Sequence, residues 1–176
     1  IRNPTVLDAM RAVERHYFVP EQYRHMAYSD RPLPIGHQQT ISQPYIDKLM
    51  TDYLNLKEGE KELEIGTGSG YQAAVLAELV GQVYSVEIVE ELAHRARKTL
   101  EELGYENVHI RIGDGYKGWE EHAPYDAIIV TASPSDVPPA LKEQLAEGGR
   151  MVIPVGGPVF QKLVLLRKED GKVKQT

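Results

Sequence analysis

Cysteine is absent from the 176 residues, which removes disulfide frameworks, cysteine nucleophiles and thiolate metal sites. A reducing compartment suits such a chain, and the cytoplasm is the expected location. No apolar run approaches the roughly 20 residues that span a bilayer, and Ile1-Arg2-Asn3-Pro4 carries no signal-peptide core. No membrane partner is expected. Positive charge is in deficit, 20 Lys+Arg against 26 Asp+Glu for a net charge of -6, which disfavours a non-specific nucleic-acid binder. The histidines, at 16, 25, 37, 94, 109 and 122, fall at no metal-ligand spacing, so no metal is expected. An initiator methionine is lacking too, so the chain reads as starting inside a longer one. What is present is an ordinary globular balance, 41% hydrophobic and 26% charged. The length suits one domain with a core that needs no cross-links, expected as a monomer.

Asn3-Pro4 reads as a helix start, with Val6, Met10, Val13 and Tyr17 on one face and Pro20 ending the element. Residues 18 to 41 carry Pro20, Pro32, Pro34 and Gly36 without a period and read as a long structured loop. Ser42-Gln43-Pro44 opens a second helix with Ile46, Leu49, Met50 and Tyr53 as its apolar stripe. On periodicity alone Ser42 is its N-cap. From Lys61 strands and helices alternate. Strands are expected at Leu63–Ile65, Val83–Val86, Val108–Ile112, Tyr125–Val130, Met151–Ile153 and Leu163–Leu166. A helix around Leu141 and Leu145 should end at Gly148-Gly149. This order predicts an α/β fold, a doubly wound Rossmann-like, mostly parallel sheet flanked by helices. The expected organisation is a single domain, with an N-terminal helical extension over residues 1–60 and a nucleotide-binding core over 61–176.

Gly66-Thr67-Gly68-Ser69-Gly70 follows the first core strand and precedes a helix, the position of a nucleotide loop. The pattern is G-x-G-x-G. Tyr71 stands where a dinucleotide fingerprint needs its third glycine, and no lysine follows as a P-loop requires. Glu87 closes the second core strand, where a carboxylate accepts hydrogen bonds from two ribose hydroxyls. Together the two features point to a nucleoside-bearing cofactor. Gly113-Asp114-Gly115, after the third strand, is a turn by its chemistry. The run His94-Arg95-Ala96-Arg97-Lys98 reads as a solvated helix face, and Trp119 as packing.

Leu63 to Gln72 resembles the first motif of class I S-adenosylmethionine-dependent methyltransferases. More narrowly the chain is similar to the protein-L-isoaspartate O-methyltransferase family. The likeness rests on Pro34-Ile35-Gly36, Gln39-Thr40-Ile41-Ser42-Gln43-Pro44, Gly113-Asp114-Gly115, Ala123 to Ala132, and Gln144 through Gly149 with Ile153-Pro154-Val155-Gly156. The resemblance implies S-adenosylmethionine as cofactor, with S-adenosylhomocysteine as product. It assigns Glu64 and the loop Gly66, Thr67, Gly68, Ser69 and Gly70 to the methionine end. Glu87, with Ile88 beside it, goes to the ribose and Asp114, between Gly113 and Gly115, to the adenine. Gln39, Thr40, Ile41 and Thr131 complete the cofactor set. Ser42 is implied as catalytic, and Pro34, Ile35, Gly36, Ser42, Val155 and Gly156 as substrate-binding.

The implied reaction is methyl transfer to the α-carboxylate of L-isoaspartyl residues in damaged proteins and peptides, which are then the partners. An ionised carboxylate needs no general base. The alternatives are another class I methyltransferase acting on a small molecule or RNA, or a non-catalytic S-adenosylmethionine-binding module. Thr131-Ala132-Ser133-Pro134 replaces the Asn/Asp-Pro-Pro-aromatic motif of amino-directed nucleic-acid enzymes. Three departures stand out. Gln38 occupies a position where bacterial members commonly carry glycine. Asp47 stands where an apolar residue or histidine is usual. The family continues beyond Thr176, so residues 162–176 are expected to form one strand and the start of a turn into a missing last strand.

Overall fold

The structure is a computed structural model in which residues 4–156 and 159–176 are described. The proposed cap Asn3 lies outside the described residues. The core is a seven-stranded sheet in the order β5-β4-β3-β6-β7-β8-β9. Its strands are β3 (Lys61–Ile65), β4 (Gln82–Glu87), β5 (Val108–Ile112), β6 (Tyr125–Val130), β7 (Leu145–Gly156), β8 (Gln161–Glu169) and β9 (Lys172–Gln175). The five strands β3 to β7 run parallel, and β8 and β9 are antiparallel additions. The chain winds outward from β3 through β4 to β5, then returns to lay β6 on the other side of β3. The strand order therefore reverses between β3 and β6, the switch point where open α/β sheets bind ligands at the carboxyl ends of their strands.

Alternation along β3 explains its burial on both faces. Leu63 and Ile65 join Val86, Ile128, Val130, Met151 and Ile153 on one side, closed partly by Leu141 of α5 (Pro139–Gln144). Ala127, Ile129 and Val152 meet a helical layer on the other. That layer comprises α1 (Pro4–Ala12), α2 (Pro44–Leu54), α3 (Tyr71–Ala77) and α4 (Glu90–Glu102). In α4, Leu92, Ala93, Ala96 and Leu100 form the expected buried stripe. Trp119 packs edge-on against Tyr84 and His122, as its reading as packing requires.

Several expectations from periodicity need correction. The first helix stops at Ala12, and the chain turns Arg15 inward while Tyr17 stays 46% exposed. The irregular stretch 18–41 holds a 3-10 turn, Glu21–Met26, and a hairpin of β1 (Leu33–Gly36) and β2 (Gln39–Ile41). His37 and Gln38 make its tip, both at positive φ (53° and 59°), the two-residue turn that usually recruits Asn-Gly. The inward stripe of α2 is Asp47, Met50, Thr51 and Leu54, so Ile46 and Tyr53 face out.

Ser42 is not the cap of α2. The capping position is Gln43, and Asp30 satisfies the helix start from outside, Oδ1 accepting from Tyr45 N (3.0 Å) and Oδ2 from Gln43 Nε2 (3.0 Å). α5 ends at Gln144, because Leu145 already pairs with Tyr125. The sheet then absorbs residues 146–149 as a bulge before Arg150 meets Ala127. Residues 162–176 hold two strands, since β9 folds back on β8 and covers its edge.

Candidate active site

The glycine loop leaves β3 at the switch point and is held by strand and loop atoms alike. Gly66 N donates to Val86 O (2.8 Å), Gly68 N to Glu87 Oε1 (2.7 Å) and Gly70 N to Thr67 O (2.9 Å). Gly66 has φ +96°, and a Cβ there would lie 2.2 Å from Thr131 Oγ1. Any side chain would therefore break the junction with β6, where Thr131 Oγ1 donates to Ile65 O (2.9 Å). The second oxygen of Glu87 accepts from Val89 N (3.0 Å), so this 6%-exposed carboxylate fastens the loop to the start of α4. Each of its oxygens keeps a lone pair for a ligand hydroxyl.

Two adjoining cavities open here, of about 150 Å³ and 320 Å³. Gln39, Gly66, Glu87 and Thr131 line both. The smaller adds Thr40, Ile41, Ser42, Thr67, Gly68 and Ser69, and the larger adds Ile88, Asp114 and Gly115. Asp114 serves its turn as well, Oδ1 accepting from Tyr116 N (3.0 Å). The fold thus gathers most of the residues selected from sequence into one cleft, drawn from β2, the glycine loop and the ends of β4, β5 and β6.

Five groups stand apart. Gly70 starts α3 and packs against Ala96. Gly113 lies just outside, its N donating to Glu87 O (3.0 Å). Pro34, Ile35 and Gly36 line a larger groove of about 750 Å³ between the N-terminal segment and α4, which touches the loop only at Ser69. Val155 and Gly156 line neither cleft cavity, and Gly156 N donates to Pro134 O (3.1 Å). Glu64 is wholly buried beneath the cleft, not on its wall. Its Oε1 accepts from Ser85 Oγ (2.6 Å), which is 2.6 Å from Thr67 Oγ1. Glu64 reaches the cavity only through that relay. Burial pushes its carboxyl up to about 8 against the pull of the Ser85 hydrogen bond.

Sequence reasoning passed over three residues of the smaller cavity, Asp47, Tyr71 and Gln72. Tyr71 and Gln72 belong to the quoted motif, and adjacency to the loop was their signal. Asp47 had only its oddity. Burial raises its carboxyl to about 7, although Arg15 at 3.3 Å draws it back down. Behind the wall, Thr51 Oγ1 accepts from Gln72 Nε2 (2.6 Å) and donates to Asp47 O (2.7 Å).

The family model described as Protein-L-isoaspartate(D-aspartate) O-methyltransferase matches residues 1–176. The chain belongs to the protein-L-isoaspartate O-methyltransferase family. A member from Opitutus terrae is 64% identical over 173 residues, covering 98% of this chain and 74% of that one. One from Dictyoglomus turgidum is 56% identical over 171 residues, covering 97% and 78%. A solved protein-L-isoaspartate O-methyltransferase superposes with a TM-score of 0.89 at 34% identity, covering 99% of this chain and 60% of the other. A Plasmodium falciparum protein assigned the same activity, solved with S-adenosyl-L-homocysteine, gives 0.86 at 28% identity, covering all of this chain and 88% of that one. The family has the fold found here. Among the described residues no helix is long and apolar enough to cross a membrane, and no cluster of three metal-ligating side chains occurs.

Proposed function

We propose that this chain transfers a methyl group from S-adenosylmethionine to the free α-carboxylate of L-isoaspartyl residues in damaged proteins and peptides. The observation that carries the reading is a single cleft at the switch point. It joins a glycine loop, a carboxylate fit for a ribose and an uncommitted hydroxyl. Ser42 makes no side-chain hydrogen bond among the described residues, and it lines the cavity beside the loop.

The residues fit the cofactor. The loop brings bare backbone at Gly66 and Gly68 to the cavity wall, where a ligand can approach closely. Glu87 holds two acceptor oxygens at the end of β4. The larger cavity offers Val86, Ile88 and Tyr116 as apolar walls, with Asp114 at its edge to accept from an exocyclic amine. When bound, S-adenosylmethionine supplies the electrophilic methyl. Ser42 Oγ then orients the acceptor carboxylate by hydrogen bonding. That carboxylate, with an ordinary pKa near 3.5, is ionised at neutral pH, so the site needs no general base. The cleft acts by positioning and exclusion of water. The same reading takes the protein as a monomer acting in the cytoplasm. Residues 1–60 form the substrate-side extension of this reading, and 61–176 the cofactor core.

Methylation of an isoaspartyl peptide, with its aspartyl isomer as control, tests the proposal. Methyl ester on the isoaspartyl peptide alone is the expected result. Equal labelling of both isomers, or of neither, overturns it.

A further inference from the structure

We infer that Arg15 is a positioning residue for the acceptor site, holding Ser42 in register with the glycine loop from behind the cavity wall. The inference rests on the proposed methyl transfer. Arg15 is 2% exposed and does not line the cleft, yet its guanidinium touches three residues that do. One terminal nitrogen donates to Ser42 O, and the other donates to Asp47 Oδ2 (3.3 Å). The guanidinium carbon stands over the Tyr71 ring, 4.7 Å from its centroid.

These partners come from three segments, the turn before α2, α2 itself and the start of α3 directly after the glycine loop. The Ser42 carbonyl is outside the helix, because α2 takes its first bonds from Gln43 O, to Ile46 N (3.0 Å) and Asp47 N (3.2 Å). Without Arg15 that carbonyl has no donor among the described residues, and the segment from β2 to Ser42 loses the guanidinium that ties it to Tyr71 of α3. A planar fork sets two distances at once, which a point charge cannot. The arrangement is poor as a stabiliser. Arg15 Nε has no hydrogen-bond partner among the described residues, and buried ion pairs often break even against apolar replacements. Its geometry is better explained by placement of the Ser42 hydroxyl than by added stability.

The test compares Arg15→Lys and the double variant Arg15→Met/Asp47→Leu with the unaltered chain. The double variant removes both charges, so it keeps the fold accessible. Two readouts are needed, kcat and KM on an isoaspartyl peptide, and hydrogen exchange of residues 39–46 against 66–71. The expectation is a kcat loss on the order of tenfold to a hundredfold for both variants. Affinity for S-adenosylhomocysteine should change less than about threefold in Arg15→Lys, which leaves every residue of the cavity wall in place. Exchange should rise about tenfold or more in 39–46 but not in 66–71. Lysine should fail to rescue. Unchanged kcat in the folded double variant, or unchanged exchange in 39–46, overturns the inference. If the unaltered chain fails to methylate the isoaspartyl peptide, the proposed function falls, and exchange alone then decides whether Arg15 holds the segment.

Discussion

Two buried arginines anchor opposite ends of α2, and they do so with different completeness. Arg150, toward the amino ends of the strands, satisfies every nitrogen. Nε donates to Leu54 O (2.7 Å) and Nη2 to Asn55 O (2.9 Å), closing the last carbonyls of α2. Its two terminal nitrogens grip both oxygens of Glu60 (2.7 and 2.9 Å). Burial alone would raise the Glu60 carboxyl, but the bonds from Arg150 and the Lys57 backbone outweigh it and leave the group below its usual value. Arg15, at the carboxyl ends, has an orphaned Nε and a carboxylate partner left near 7. Arg150 itself is fully bonded, although Asp52 Oδ1 in the last turn of α2 and both Glu62 oxygens lack partners among the described residues. At the other end the arginine itself keeps an unmet nitrogen, beside the candidate cleft.

The largest expected effect lies at the Arg150 end. Arg150→Ala should cost roughly 3–5 kcal/mol in a urea titration, since it strands Glu60 and the carbonyls of α2. Turnover per folded molecule should stay near normal. A loss below about 1 kcal/mol would erase the contrast between the two ends.

Ser42→Ala sharpens the comparison from the other side. Turnover should fall on the order of a hundredfold, while the melting temperature holds, because Ser42 caps nothing. The capping loss should instead appear in Asp30→Ala, at about 0.5–2 kcal/mol. A melt that drops in Ser42→Ala with turnover preserved would return Ser42 to a structural role.

The unmet acids also predict a pH signature. Glu64 is raised to about 8 and Asp47 to about 7, both mainly by burial, and Glu62 lies well above its usual value for the same reason. A carboxyl whose folded pKa exceeds its unfolded one binds its proton more tightly in the folded chain. Its stabilising contribution is complete below the unfolded value, about 4, and is lost as pH rises toward 7 to 8. Melting temperature should therefore decline between about pH 5 and 8, and Glu64→Gln should flatten that decline. Parallel profiles for the two proteins would contradict the buried, protonated state of Glu64.

The smallest effect concerns the hairpin tip. Gln38 sits at φ +59° where glycine carries no Cβ penalty, so Gln38→Gly should gain about 1 kcal/mol, read as a higher denaturation midpoint. A loss would mean that the Gln38 side chain contributes more to the folded state than its backbone strain costs.

Some of this was legible residue by residue. The glycine loop and Glu87 were readable because their chemistry is local, with glycine needed within one turn and an acid needed at one strand end. The strands of the core were readable because burial on both faces demands unbroken apolar runs such as Ala127–Val130. The hairpin of β1 and β2 was not. Its tip lacks the Asn-Gly signal, and its strands are only four and three residues long. β9 was missed because three of its four residues are polar and exposed and only Val173 packs on the core, so the strand gains its structure by pairing with β8.

The sequence by itself determined the sheet-and-helix alternation, the glycine loop at the switch point and the family to which the chain belongs, because each depends on neighbours close along the chain. Only the tertiary structure decided what α2 turns inward and what holds Ser42. Periodicity favoured Ile46 and Tyr53, but a buried cation 32 residues earlier makes Asp47 the inward residue. Asp30 takes the cap from Ser42 across 15 residues to Tyr45. Such choices follow from charges and carbonyls that must find partners once water is excluded, and those partners are set by the packed chain.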